Sequence, residues 1–188
     1  PRREFPHSEV QEITISGTPT GGTFRLSFPV GEDAATQTGD IDCFLPATVH
    51  KGAWVAATAY SLNDVVSYTT VGSTIPRTYR RIVAGTTATA PDIDTTNWIL
   101  QAYAGDAQSI QLALEALPSI GKGNVRVSGG PLPSVPISVL FTGDLAYKDV
   151  PQLRAISSLT PLGVPIISIL TTASGLDQTE EIVSIPPR

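Results

Sequence analysis

VQEITISGTPTGGTFRLSF, Val10 to Phe28, is the stretch on which the fold class turns. Val10, Glu12 and Thr14 face one way along an extended chain, and Gln11, Ile13 and Ile15 face the other. A period of two built on β-branched residues predicts a strand. Thr18-Pro19-Thr20-Gly21-Gly22 predicts a turn, because Pro fixes φ and Gly supplies a positive one. Thr23 to Phe28 alternates again, with Phe24, Leu26 and Phe28 on one face, so the two strands are expected to form a hairpin.

Further along, AYAGDAQSIQLALEALPSIGKGNVRVSGG (Ala102 to Gly130) carries the one convincing helix, Ala107 to Leu117. Asp106 is placed to cap it, since its carboxylate can accept from free backbone N–H groups. Ile110, Ala113, Leu114 and Leu117 fall at i, i+3, i+4 and i+7, on one face, and Pro118 ends the helix. Val125 and Val127 open a strand. Val135, Ile137, Val139 and Phe141 share a face of the next. A linker around Val150-Pro151 leads to a strand over Leu153 to Leu159, and VPIISIL, Val164 to Leu170, reads as a buried strand. The fold class expected is mainly β (α+β): a small antiparallel sheet domain with one helix.

Between these flanks lies Gly52 to Leu100, rich in aromatics and nearly bracketed by the chain's two tryptophans, Trp54 and Trp98. The expected organisation is an extended arm over residues 1–8, a discontinuous platform over 9–45 and 101–188, and an inserted small three-stranded β module over 46–100. A domain that accepts an insertion in a loop serves as a platform, which points to binding or assembly.

Composition narrows the function classes. In 188 residues, 15% are charged and 41% hydrophobic, enough to bury a core. A net charge of −5 argues against nucleic acid as a partner, since phosphate binding needs a basic stripe. Arg77, Arg80 and Arg81 cluster and read as a solvated strand face. No apolar run reaches the roughly 20 residues of a spanning helix, so no membrane partner is expected. The polar start is not that of a signal peptide. The chain lacks Met, and Pro1 is compatible with removal of an initiator. Cys43 is alone, offers no intrachain disulfide, and reads as a small buried hydrophobe.

Catalytic constellations are absent. His7 and His50 are the two histidines, and a Ser/His/Asp set drawn from His50 lacks a nucleophile elbow or oxyanion motif. Asp40 and Asp42, and Asp92 and Asp94, stand at i, i+2; such pairs can hold a cation or act as acid and base, but read here as loop residues in solvent. Gly121-Lys122-Gly123 lacks the rest of a phosphate loop. No enzyme, cofactor or metal site is expected.

Several motifs in order give the outer part a resemblance: Gly17 to Phe24, Gln111 to Leu117, Ile120 to Pro131 and Phe141 to Gly143. Together they resemble a small domain found in tailed-bacteriophage virion proteins and in some large bacterial surface proteins. The resemblance covers roughly Val10 to Ile41 and Ala102 to Leu153. It implies a structural role in a virion, as a head-decorating, head-fibre or tail protein, with the major capsid protein or other virion proteins as partners. The insertion is similar to the chitin- and cellulose-binding modules of bacterial chitinases through Trp54, Ala59-Tyr60, Asn63 to Tyr68, Tyr79-Arg80, Gly85-Thr86 and Pro91 to Trp98. That resemblance implies three short strands, with Asn63-Asp64 in place of the usual Gly-Asp turn, and a longer hairpin over Val71 to Thr78.

These readings make Trp54, Tyr60, Tyr68, Tyr79 and Trp98 the candidate glycan-binding residues, because aromatic faces stack on the C–H face of a pyranose. The same side chains also read as the core of a module this small, or as interface anchors. Arg2, Arg3, Phe5, Ile182 and Ile185, in the arm and the weakly alternating tail, are the candidate assembly contacts, with a homo-oligomer expected from pairing of terminal strands. The function expected is a non-enzymatic capsid decoration or accessory protein of the phage particle. A tail or neck protein, or a module that attaches to host polysaccharide, is the alternative.

Overall fold

The computed structural model describes residues 6–28, 36–45, 50–73, 76–161 and 164–175. The candidate assembly contacts Arg2, Arg3, Phe5, Ile182 and Ile185 lie outside these residues. The chain is mainly β, with one α-helix among the described residues.

It opens with β1 (Val10–Ser16), β2 (Phe24–Ser27) and β3 (Ile41–Asp42). Six short strands follow: β4 (His50–Ala53), β5 (Thr58–Tyr60), β6 (Val65–Tyr68), β7 (Arg77–Arg81), β8 (Gly85–Thr87) and β9 (Trp98–Gln101). After β10 (Tyr103–Ala104) come α1 (Ala107–Glu115), β11 (Val125–Gly129), β12 (Ile137–Phe141), β13 (Arg154–Ser157) and β14 (Ile166–Ala173).

The expected hairpin does not form. β1 lies in a four-stranded antiparallel sheet of order β11-β12-β1-β14, while β2 lies in a second sheet of order β10-β3-β2-β13. The turn that should have closed the hairpin instead runs beside a distant segment. Thr20 N–H donates to Thr160 O at 2.8 Å, and Gly21 and Thr160 form a bridge. Gly22, at φ 87°, lies so close to that segment that a Cβ would stand 2.2 Å from Ser158 O. Both strands thus turn an apolar face to one shared core, Ile13 and Ile15 from β1 and Phe24 and Leu26 from β2. Had they paired with each other, that facing arrangement would be lost.

α1 fits its sequence. Asp106 accepts from Ser109 N–H at 3.0 Å, and Ile110, Ala113 and Leu114 are buried against β10 and β11. Leu117 joins the same core just past the end of the helix. Val135, expected on β12, lies outside that strand and is exposed.

The segment read as a buried strand is an edge. β14 pairs with β1 alone, in register from Gln11↔Thr171 to Ser16↔Ile166. Its Ile167 and Ile169 pack on the core, whereas Ile166 and Leu170 are 58% and 63% exposed. A continuous apolar run suits burial on two faces, but here only one face is covered.

Nor is the stretch around Val150-Pro151 a simple linker. Glu9 and Gln11 are buried and hold it to β1: Val150 N–H donates to Glu9 Oε2 at 2.9 Å, and Leu153 N–H to Gln11 Oε1 at 2.8 Å. Gln11 Nε2 in turn donates to Glu9 Oε1 at 2.6 Å and to Pro151 O at 3.2 Å. A glutamine thus occupies a core position because each of its polar atoms has a partner.

β4 to β9 form a four-stranded sheet of order β4-β6-β7-β9 and a two-stranded sheet, β5-β8, six strands where the resemblance implies three. They have their own apolar cluster of Tyr60, Val66, Tyr79 and Trp98. The excursion leaves and rejoins the platform side by side, because β3 and β10 pair directly, in parallel, Ile41 with Tyr103 and Asp42 with Ala104.

Candidate functional site

The five aromatics of the insert divide into two groups. Val65, Val66 and Tyr79 belong to the adjacent strands β6 and β7, which pair from Val65↔Arg80 to Tyr68↔Arg77. Alternation on those strands turns Val66 and Tyr79 inward, where Tyr60 and Trp98 meet them. Trp98 is 2% exposed, stands edge-on to Tyr60 at 5.1 Å, and carries the Arg81 guanidinium over its ring at 4.9 Å. Tyr60 is tied down further, its hydroxyl accepting from Val55 N–H at 2.9 Å. Tyr60, Tyr79 and Trp98 are therefore core side chains, with no ring face left for a sugar. A module with so small an interior uses its aromatics to make one.

Trp54 and Tyr68 remain. Both are partly buried and pack on the outside of that cluster, edge to face with each other at 5.5 Å. Trp54 is fixed by its backbone N–H, which donates to Ser67 O at 2.8 Å. The Asn63-Asp64 turn that leads into β6 has Asn63 at φ 69°, a left-handed conformation Asn tolerates, and Asp64 accepts from Ser61 N–H at 2.8 Å.

The arginine cluster is a solvated strand face only in part, with Arg77 exposed, Arg80 half-buried and Arg81 buried. Arg81 is buried under Trp98, and its Nε and Nη1 find no hydrogen-bond partner among the described residues. Arg80 reaches Asn63 Oδ1 at 2.9 Å and Gln101 Oε1 at 3.0 Å. Arg77 is exposed and lines a cavity at the junction of the two parts.

Of the acidic pairs, Asp40, Asp42 and Asp94 are structural as well. Asp94 accepts from both Asn97 Nδ2 and Thr87 Oγ1 at 2.9 Å, building the turn before β9. Burial pushes its pKa up, but these hydrogen bonds outweigh burial and leave it below the ordinary carboxylate value. Asp42 caps Phe44 N–H at 2.8 Å, and Asp40 pairs with Arg25 Nε at 2.6 Å. Among the described residues no group of three His, Cys, Asp or Glu is placed to hold a metal ion.

A Ser/His/Asp constellation does assemble around His50. His50 Nε2 lies 3.2 Å from Ser109 Oγ, and Ser109 Oγ donates to Asp106 Oδ2 at 2.8 Å. The order of contacts is wrong for a nucleophile. In a triad the carboxylate orients the histidine, which then takes the serine proton; here the carboxylate holds the serine directly. Ser109 is also 0% exposed, one turn into α1, out of reach of any substrate. The set serves as an extended N-cap that ties β4 to α1. Burial lowers the His50 pKa from its ordinary 6.5, against an upward pull from Asp106.

Cys43 is buried, and burial, with the Asp42 charge second, pushes its thiol up to about 12. It is an unreactive core residue.

The chain is a mainly β protein with one α-helix among the described residues, its insert carried between two paired strands of the outer part. Comparison with known proteins finds no family model, no curated protein and no solved structure that matches it. Among the described residues no helix is long and apolar enough to cross a membrane.

Sequence reasoning missed Tyr103, Arg25 and the junction cavity they line. No local signal marks them, since the cavity exists only once β2, β3, β7 and β9 are brought together.

Proposed function

We propose that this chain is a non-enzymatic structural protein of a tailed-phage particle, a capsid decoration or accessory protein whose platform binds the shell and whose insert is displayed outward. The reading rests on the ordered motifs of the outer part and is supported by one structural observation. The insert departs from β3 and returns at β10, which pair with each other, Ile41 with Tyr103. Such an attachment leaves both platform sheets intact, so the platform can bind one surface while the insert meets another. The partners would be the major capsid protein or other virion proteins, and further copies of the chain.

Quantitative mass spectrometry of purified virions, normalised to the major capsid protein, tests it. Hundreds of copies per particle support a place on the head lattice. A handful, in multiples of three or six, would move the protein to the tail or neck. Its absence from the particle would overturn the virion reading.

A second reading, attachment to a host polysaccharide, is favoured by Trp54 and Tyr68. These are the two candidate aromatics that keep some exposed surface, and they adjoin one another. Trp54→Ala is expected to abolish retention on insoluble chitin or host cell wall with the fold kept. Retention equal to wild type would remove this reading.

A further inference from the structure

The seam between platform and insert forms a half-open cavity of about 150 Å³, within the size that admits one ring. Its walls come from both parts, with Arg25, Asp40 and Tyr103 from the platform and Arg77 and Leu100 from the insert. Two guanidinium groups thus face one carboxylate. Arg25 uses its Nε to bind Asp40 at 2.6 Å. Arg77 makes no ion pair among the described residues. The site therefore carries one uncompensated positive charge.

Tyr103 lines the same wall and is 1% exposed, its hydroxyl buried without accessible surface. The seam is tight around it: a Cβ on Gly39 would stand 3.1 Å from the Tyr103 ring and 3.2 Å from Pro76 O. Leu100, half exposed, offers an apolar surface beside the charges.

We propose that this junction cavity binds a singly charged carboxylate borne on one ring, of the uronic-acid class. The Arg77 fork would take the carboxylate oxygens, and Leu100 would meet the C–H face of the ring. A doubly charged phosphate fits less well, because one free cation answers one negative charge and Asp40 repels the second. The same chemistry occurs in a free uronic acid and at the end of an acidic polysaccharide.

Titration of the full chain with glucuronate, followed by amide NMR shifts, tests the site, with glucose as neutral control and inorganic phosphate as dianion. Glucuronate is expected to saturate at millimolar concentration and to move the Gly39, Ala102 and Tyr103 amides, with glucose inert and phosphate at least tenfold weaker. Arg77→Gln, at an exposed position, should weaken binding at least tenfold with an unchanged melting temperature. An oligouronate that binds more tightly than the monomer would name a polysaccharide end as the source; a monomer preference would name a free acid. No saturation, an equal response to glucose, or undiminished binding in Arg77→Gln would overturn the proposal. Since these measurements involve neither particles nor chitin, their outcome is independent of the virion and stacking readings.

Discussion

Replacing Trp98 by Ala should unfold the insert and leave the platform standing. Removing a buried Trp costs about 3–5 kcal/mol, and this one belongs at the upper end. It loses an edge contact with Tyr60 at 5.1 Å, and it strips the ring from a buried guanidinium 4.9 Å away. Arg81 would then be a buried cation with Nε and Nη1 unpartnered and nothing over its face. Against this, the insert's cluster contains four buried side chains. A core of that size supplies no more than about 3–5 kcal/mol, so the substitution removes most of what holds the insert together. The platform has a separate and larger cluster, which Trp98 does not join. Limited proteolysis with mass mapping reads the result directly. New cleavage sites should appear between residues 50 and 101 while the platform segments stay protected, and calorimetry should lose the insert's share of the heat absorbed. Trp54→Ala provides the contrast: its edge contact with Tyr68 at 5.5 Å accounts for about 1 kcal/mol, and the fold should persist. A Trp98→Ala protein within about 0.5 kcal/mol of wild type, the range of a neutral surface change, would refute the core assignment and restore Trp98 as a binding residue.

Two further outcomes follow from buried polar contacts. Gln11→Leu keeps the side chain's bulk but strips Leu153 N–H of its acceptor and Glu9 of its nearest donor; a loss of about 3 kcal/mol is expected. At 2–4 °C per kcal/mol that lowers the melting temperature by roughly 6–12 °C, and a shift within 1–2 °C in thermal denaturation would show the network to be dispensable. His50 makes stability fall on acidification. Its folded pKa lies below 6.5, so between that value and 6.5 the unfolded chain binds more protons than the folded one. The His50 contribution is full above 6.5 and is lost as pH falls toward the folded value. Denaturant unfolding from about pH 7.5 down to about pH 5 should show this slope in wild type and a flatter one in His50→Gln; equal slopes would exclude His50 as the titrating group.

Local elements were legible where the signal is local. Asp106 with Ile110, Ala113 and Leu114 marked α1, since a cap and a helical face are set within a dozen residues. The alternation of Gln11, Ile13 and Ile15 marked the buried face of β1, although nothing in it said that Gln11 would be buried as completely as its neighbours. Alternation names the faces of a strand but not its partner. β1 and β2 were therefore read as a hairpin, when their partners are β12 and β14, and β3 and β13. The run at Val164 to Leu170 reads as a buried strand because apolar content cannot tell a central strand from an edge. The aromatics posed the same problem at the site: Trp54 and Trp98 have the same chemistry, and only packing turned one inward.

By itself, then, the sequence determined a mainly β chain with one capped helix over Ala107–Glu115 and Cys43 as a buried thiol. These properties depend on residue type and on near neighbours. Tertiary structure alone decided which strands pair, which aromatics form the core of the insert, and where Arg25, Arg77 and Tyr103 meet. Gln11 bonds Leu153 at a separation of 142 residues, and β3 meets β10 across the whole insert. Contacts that far apart along the chain leave no periodic trace in it, because they are fixed by the fit of one buried face against another.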